Sequence, residues 1–481
     1  MKYHSTRNQA ELVSPSKAVL EGLAPDGGLY VPSELPQIDF ASWLNHDYQM
    51  IAKKVFKIFF SDLADTTIKK IVNLAYGKNF DTTKIVPTRW LDSETGIMEL
   101  WHGPTLAFKD LALQFLPHLM QAAQEKTGLK EDILILTATS GDTGKAAMEG
   151  FSGLEHFRVI VFYPYNGVSS FQKRQMLSRE HNNVRAIALK GDFDDCQRGV
   201  KELFSTPNFV QTVSEAGYTL SSANSINIGR LVPQTVYYIN SYLEAVSAGK
   251  ISYGESLSIV VPTGNFGNIL AACYARKMGL PLGKIHLAAN QNNVLADFLN
   301  SGVYDRNRSL VKTSSPSMDI LVASNLERYL YLKNPNTDWI KSLMQDLNSQ
   351  GKFKVDRDIF DLSASWANEK ETSAAIEHVY QKYNYLIDPH TAVAYASQNK
   401  TDLSGPTLIA GTASPYKFME KIFTSLKQDI PADDWQSIQN ISRLTGENVP
   451  QVIQKLWQLE QDREFVIESN QMSEIIQEEI K

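Results

Sequence analysis

The sequence predicts an α/β protein built on open, mostly parallel sheets, preceded by an N-terminal domain of different character. Two observations lead there. Short, continuous β-branched runs recur along the chain, separated by amphipathic segments of helical period. Residues up to about 100 read differently, as turn-rich and then helical.

The apolar runs lie at 133–136, 159–162, 184–188, 258–261, 285–288 and 408–410. A strand that is apolar on both faces is covered on both sides, as a parallel strand under crossover helices is. Segment 111–124 shows the intervening pattern, with Leu111, Phe115, Leu116, Leu119 and Met120 apolar. Pro117 inside it is expected to kink or interrupt the helix, because proline lacks an N–H and crowds the preceding turn. Ahead of these units, 22–32 is a turn-rich connector that leads into a helical stretch over 41–74. From about Ala432, Val449, Ile453, Leu456 and Leu459 fall at helical spacing, which predicts terminal helices.

Bulk properties narrow the class. A chain of 481 residues exceeds one ordinary core. With 43% hydrophobic and 21% charged residues it has a globular composition, and its formal charge of −6 comes without long runs of one sign. That argues against a nucleic-acid or membrane-surface partner. Cys196 and Cys273 form no CxxC pair, which fits a reducing compartment. Residues 1–13 carry no apolar leader core and no 18-residue apolar run occurs, so the expected location is cytoplasmic. The 9 histidines lack metal-ligand spacing, and no metal site is expected.

Small and polar residues interrupt the apolar pattern at four places, and those at Ser140, Gly264 and Thr412 directly follow strand runs. Ligands of open parallel sheets bind beyond the carboxyl ends of the strands, so such loops converge on one crevice. The first interruption, His102-Gly103-Pro104-Thr105-Leu106-Ala107-Phe108-Lys109-Asp110, ends where a helix is expected to begin near Asp110. Lys109 then sits beside a partly positive helix N-terminus, which favours the neutral amine that Schiff-base chemistry needs. An arbitrary lysine is exposed, and only the other loops single this one out.

The second, Thr137-Ala138-Thr139-Ser140-Gly141-Asp142-Thr143-Gly144-Lys145, passes from strand to helix and can form an anion site. It is not a P-loop, since Thr139 replaces the first required glycine and Ala146 the magnesium-binding hydroxyl. A plain capped turn is the simpler alternative. The third, Gly264, Asn265, Phe266, Gly267 and Asn268, frees backbone N–H groups for a phosphate but lacks dinucleotide GxGxxG spacing. Thr412 alone reads as a cap or turn residue. Asn224, Ser225 and Arg230 add amides and a cation suited to an anion, although a surface ion pair is the commoner fate of an arginine.

Together these segments resemble threonine synthases, members of the fold-type II pyridoxal-phosphate (PLP) enzymes that include the tryptophan synthase β subunit. The resemblance runs from Ser5-Thr6-Arg7 and 22–32 through 102–110, 139–144, 224–230 and 264–268 to 324–328, 388–392 and 412–418. The pairing of 102–110 with Ser140-Gly141-Asp142-Thr143-Gly144 is its most specific part and points to the longer, microbial and fungal-like branch. It implies an N-terminal domain over 1–100, two open α/β subdomains with PLP between them over 101–431, and a helical segment over 432–481. It also implies that Lys109 carries PLP and moves protons, that Gly264, Asn265, Phe266, Gly267 and Asn268 hold the cofactor phosphate, and that Thr412 hydrogen-bonds the pyridine nitrogen. Ser140, Asp142 and Thr143 then line the substrate face, while Asn224, Ser225 and Arg230 meet the substrate's phosphate.

The implied reaction, the last step of threonine biosynthesis, turns O-phospho-L-homoserine and water into L-threonine and phosphate by γ-elimination and β-addition of water. The implied partner is that small molecule, for a monomer or homodimer. A related PLP phospho-lyase releasing a keto acid, or a silent relative acting as a binding protein, are the alternatives. Two departures stand out. Ser414 and Tyr416 stand where relatives often have histidine and alanine, and Asp142 stands where many have asparagine near the cofactor's phenolic oxygen. An ionised carboxylate would repel a phenolate, so Asp142 is expected to face elsewhere or to be protonated when the cofactor is bound.

Overall fold

The computed structural model describes residues 1–403 and 405–480. Two sheets organise them. The larger has six strands in the order Ser363–Trp366, Leu282–Ala289, Leu257–Pro262, Thr407–Gly411, Thr95–Glu99 and Thr88–Trp90. Every neighbouring pair is parallel except the last, which is antiparallel. Register is tight through the middle, where Val260 faces His286 on one side and Ile409 on the other, and Ile409 faces Ile97. Leu257–Pro262 and Thr407–Gly411 are buried at every position, which explains the apolar stretches 259–261 and 408–410 within them.

The second sheet is parallel throughout, in the order Val466–Ile467, Val184–Leu189, Phe157–Pro164, Asp132–Ala138 and Tyr218–Ser221. Its edge strand Val466–Ile467 comes from the C-terminal segment, for which helical spacing had predicted helices alone. Helices Asp434–Thr445, Gln451–Gln458 and Met472–Glu479 are present as well. The two-residue strand is too short to carry a period, and ion pairs from Arg158 and Arg185 to Glu479 help hold the segment in place.

An antiparallel sheet, Asn8–Val13, Tyr3–Ser5 and Tyr30–Pro32, opens the chain. The helical stretch expected over 41–74 is divided into a 3₁₀ turn, Phe40–Trp43, and two α-helices, Tyr48–Phe59 and Asp65–Ala75. Asp47 caps the first α-helix by accepting from Met50 N, and Asp62 between the two accepts from Ser16 N at 3.0 Å. These residues pack into the core shared with the later helices: Phe56 stacks on Phe115 with ring centroids 3.9 Å apart. Pro117 interrupts the helix as expected. Asp110–Leu113 ends, and Leu116–Thr127 starts afresh with the proline in its first turn, where no N–H is needed.

Candidate active site

The loop that carries Lys109 is shaped by its own side chains. Asp110 accepts from Thr105 N at 2.9 Å and from Thr105 Oγ1 at 2.6 Å, which curls 105–110 back on itself. A Cβ on Gly103 would stand 2.5 Å from Asp110 Cβ, so only glycine lets that carboxyl in. The curl is pinned to the end of strand Thr407–Gly411. Phe108 N donates to Thr412 O at 2.9 Å, Ser414 N donates to Leu106 O at 3.1 Å, and Ala107 pairs with Ala413 as an isolated bridge.

Lys109 is buried, and its amine reaches Asp142 Oδ2 at 3.0 Å and Ser317 Oγ at 3.0 Å. Burial holds the amine below its usual range, Asp142 opposes that, and Lys417 and Arg230 reinforce it. The helix dipole expected from the sequence is a lesser influence, because Asp110–Leu113 is a single turn and carries few aligned peptide dipoles.

Asp142, in the first turn of helix Asp142–Phe151, turns its carboxyl toward Lys109. Burial works to raise its carboxyl, but Lys109 and Lys417 override that and hold it well below the usual carboxylate range. Lys417 Nζ lies 2.8 Å from Oδ1, and Gln172 Nε2 donates to the same oxygen at 2.8 Å.

The Gly264 loop leaves strand Leu257–Pro262 and enters helix Gly267–Lys277 through Phe266, whose φ of 63° is left-handed. A Cβ on Gly264 would meet Ser317 O at 2.3 Å, so the backbones touch there. Asn268 Oδ1 accepts from the hydroxyls of Tyr237, at 2.6 Å, and Tyr238. Its Nδ2 is buried with no hydrogen-bond partner among the described residues. Arg230, near the start of helix Ile228–Ser247, is likewise buried and donates through Nη1 to Ala223 O, while its Nε has no partner among the described residues. Burial pushes its guanidinium down to about 10, with no contribution from a carboxylate. Buried donors without acceptors are costly, and both are suited to anionic oxygens.

Lys109, Asp142, the Gly264 loop and Arg230 meet in one cavity of about 910 Å³. Lys109, Ser140, Asp142, Thr143 and Thr412 line it, as do Asn224, Ser225 and Arg230. The loop Gly264, Asn265, Phe266, Gly267 and Asn268 completes the set, so the structure brings together every candidate from the sequence. The volume suits a cofactor and a small substrate together. The buried amine, the orphaned Asn268 donor and the helix N-terminus behind Gly264 fit PLP, whose phosphate needs donors and whose aldehyde needs an amine.

Three lining or contacting residues were not singled out in the sequence. Lys417 stands five positions past Thr412, close enough to be found by asking which lysine follows that strand. Ser317 lies in the 3₁₀ turn Pro316–Met318, in irregular chain that offers no signal. His390 lines the cavity with Thr412; its Nδ1 is 2.7 Å from Asp388 Oδ1, and its Nε2 accepts from Ser317 N at 3.3 Å. An imidazole therefore reaches this cavity from helix Pro389–Gln398.

Comparison with known proteins identifies the family. The family model "Pyridoxal-phosphate dependent enzyme" matches residues 81–410, and "Threonine synthase N terminus" matches residues 2–76. The class is thus that of fold-type II PLP enzymes, with pyridoxal phosphate as cofactor. A threonine synthase from Pseudomonas aeruginosa is 39% identical over 88% of this chain and 90% of its own. The crystal structure of PLP-bound threonine synthase from Brucella melitensis superposes with a TM-score of 0.86 at 35% identity, covering 100% of this chain and 98% of that one. The chain belongs to the threonine synthase family. Threonine synthase-like 1 of Homo sapiens is 42% identical over 86% of this chain, which spans only 58% of that protein's length. No helix among the described residues is long and apolar enough to cross a membrane.

Proposed function

We propose that this protein is a threonine synthase, converting O-phospho-L-homoserine and water into L-threonine and phosphate. The observation that carries the reading is Arg230. It is a buried guanidinium without a carboxylate partner among the described residues, in the same cavity as a separate phosphate-suited loop. Two anion subsites around one amine suit a phosphorylated cofactor and a phosphorylated amino acid together.

In this reading Lys109 anchors the cofactor, the Gly264–Asn268 loop takes its phosphate and Thr412 faces its ring nitrogen. Bound there, PLP supplies an electron sink for the charge left on carbon when C–H bonds break. Arg230, with Asn224 and Ser225, grips the substrate phosphate and aligns its Cγ–O bond for departure. Lys109 Nζ removes and returns protons at the α and β carbons, work typically worth about 10²–10⁴-fold. Ser140 and Thr143 orient the amino acid, and the enclosing walls limit water to the molecule that adds at Cβ.

Product analysis with phosphohomoserine tests this. Phosphate and threonine in equal amounts support it. Phosphate with 2-oxobutyrate and no threonine assigns a phospho-lyase, a second reading favoured by the 42% identity to a protein named only threonine synthase-like. No turnover by PLP-loaded protein would leave a binding role.

A further inference from the structure

One carboxylate, that of Asp142, is shared by two buried lysines. Lys109 approaches Oδ2 at 3.0 Å and Lys417 approaches Oδ1 at 2.8 Å. The Lys417 side chain is 0% exposed, and its Nζ also donates to Thr105 O at 2.9 Å, tying the turn Pro415–Phe418 to the Lys109 loop. Nothing in the reaction described above uses it. A cation so completely buried is costly unless its charge is matched, and the match here is already in use by Lys109.

The arrangement answers a difficulty. Asp142 alone beside Lys109 would favour the ammonium form, yet a base must release its proton to work. A second cation on the other oxygen divides the carboxylate's field and weakens its hold on Lys109. We infer that Lys417 is a positioning residue: it locks the Asp142 carboxylate and shares its charge, so that Lys109 can deprotonate where the enzyme works. This rests on the proposal that Lys109 is the base.

The surrounding groups are compatible with it. Gln172, from helix Ser170–Leu177, holds the same Asp142 oxygen as Lys417, which leaves the carboxylate little freedom to turn. Arg230 lies on the helix to one side, and His390 acts on Asp142 from helix Pro389–Gln398. Asp110, next in the chain to Lys109, is engaged by Thr105 and feels Lys417 as well. Ser317, which bonds both Lys109 and Asp142, carries no charge.

The test reads Lys109 directly in the full-length, cofactor-free chain. The pH dependence of its labelling by an amine-acylating reagent is followed by peptide mass spectrometry, with melting temperature as the check on folding. In Lys417→Met and Lys417→Gln the labelling midpoint should rise by about one pH unit, and Lys417→Arg should restore it. With PLP and substrate added, the acid limb of kcat should move the same way while KM changes little. Glutamine keeps an N–H for Thr105 O and Asp142, so it decides the matter if the methionine variant does not fold. A folded neutral variant whose midpoint stays put, with activity lowered equally at every pH, would overturn the inference. Labelling needs no substrate, so an unmoved midpoint counts against Lys417 whatever the product assay returns. A wrong product counts against the proposed reaction alone.

Discussion

Arg7 grips Glu327 with two parallel hydrogen bonds, Nε to Oε1 at 2.9 Å and Nη2 to Oε2 at 2.8 Å. Thr6 Oγ1 donates to the same carboxylate at 2.6 Å. Both Arg7 and Glu327 line the cavity, so the first strands of the chain are fastened to the rim of the site itself. The pair is forked and mostly buried, at 22% and 7% side-chain exposure, which places it above an ordinary surface ion pair. Arg7→Ala should cost about 1.5–3 kcal/mol in urea unfolding and raise KM for phosphohomoserine. A double-mutant cycle with Glu327→Gln should show coupling; additive losses would mean the fork contributes nothing.

Lys109→Ala removes the amine proposed to carry the cofactor, a buried one that lines the cavity. Reconstituted protein should lack visible absorption, and turnover should fall by about 10²–10⁴-fold or more. A coloured, active variant would move the cofactor to another lysine.

Arg230→Ala separates the two anion subsites. Losing a charged hydrogen-bond donor worth about 1.5–3 kcal/mol predicts a KM for phosphohomoserine roughly ten to a hundred times higher, with PLP retained. Loss of PLP instead would assign Arg230 to the cofactor's phosphate.

Gly264→Ala tests the loop from the other side. The new Cβ would sit 2.3 Å from Ser317 O, a backbone atom that cannot swing aside. The expected result is PLP affinity lowered at least about tenfold, measured by titration of the cofactor-free protein. Unchanged affinity would show that the loop has room to spare.

His102 supplies a pH prediction away from the chemistry. Its Nδ1 lies 2.6 Å from Asp81 Oδ1 and its Nε2 2.8 Å from Glu99 Oε2. Burial works to lower the imidazole, but the two carboxylates prevail and carry it up to about 9. Because the folded value exceeds the unfolded one, this stabilisation is complete below about pH 6.5 and fades as pH rises through about 9. Asp81 is partly open to water, so an effect on the order of 2 kcal/mol is expected. The difference in urea stability between the native protein and His102→Asn should close between those two pH values.

Apolar runs such as 259–261 and 408–410 could be read as parallel strands from the sequence alone, because burial on both faces favours apolar side chains at successive positions. The Gly264 and Ser140 loops were legible for a related reason: a polar break directly after such a run falls at the carboxyl end of a strand. Pro117 announced its own helix break. What period and local chemistry could not contain were contacts between distant segments. The strand Val466–Ile467 is defined by its partner Val184–Leu189, not by its own two residues. The ionised state of Asp142 depends on Lys109 and Lys417, which lie far from it in the chain, and on Gln172 across the site. The sequence by itself determined the class of fold, the family and which loops bear polar groups, since these are written in local pattern. The tertiary structure alone decided which charges face one another in the buried site, because electrostatic interaction there depends on distance and burial, and neither follows from order along the chain.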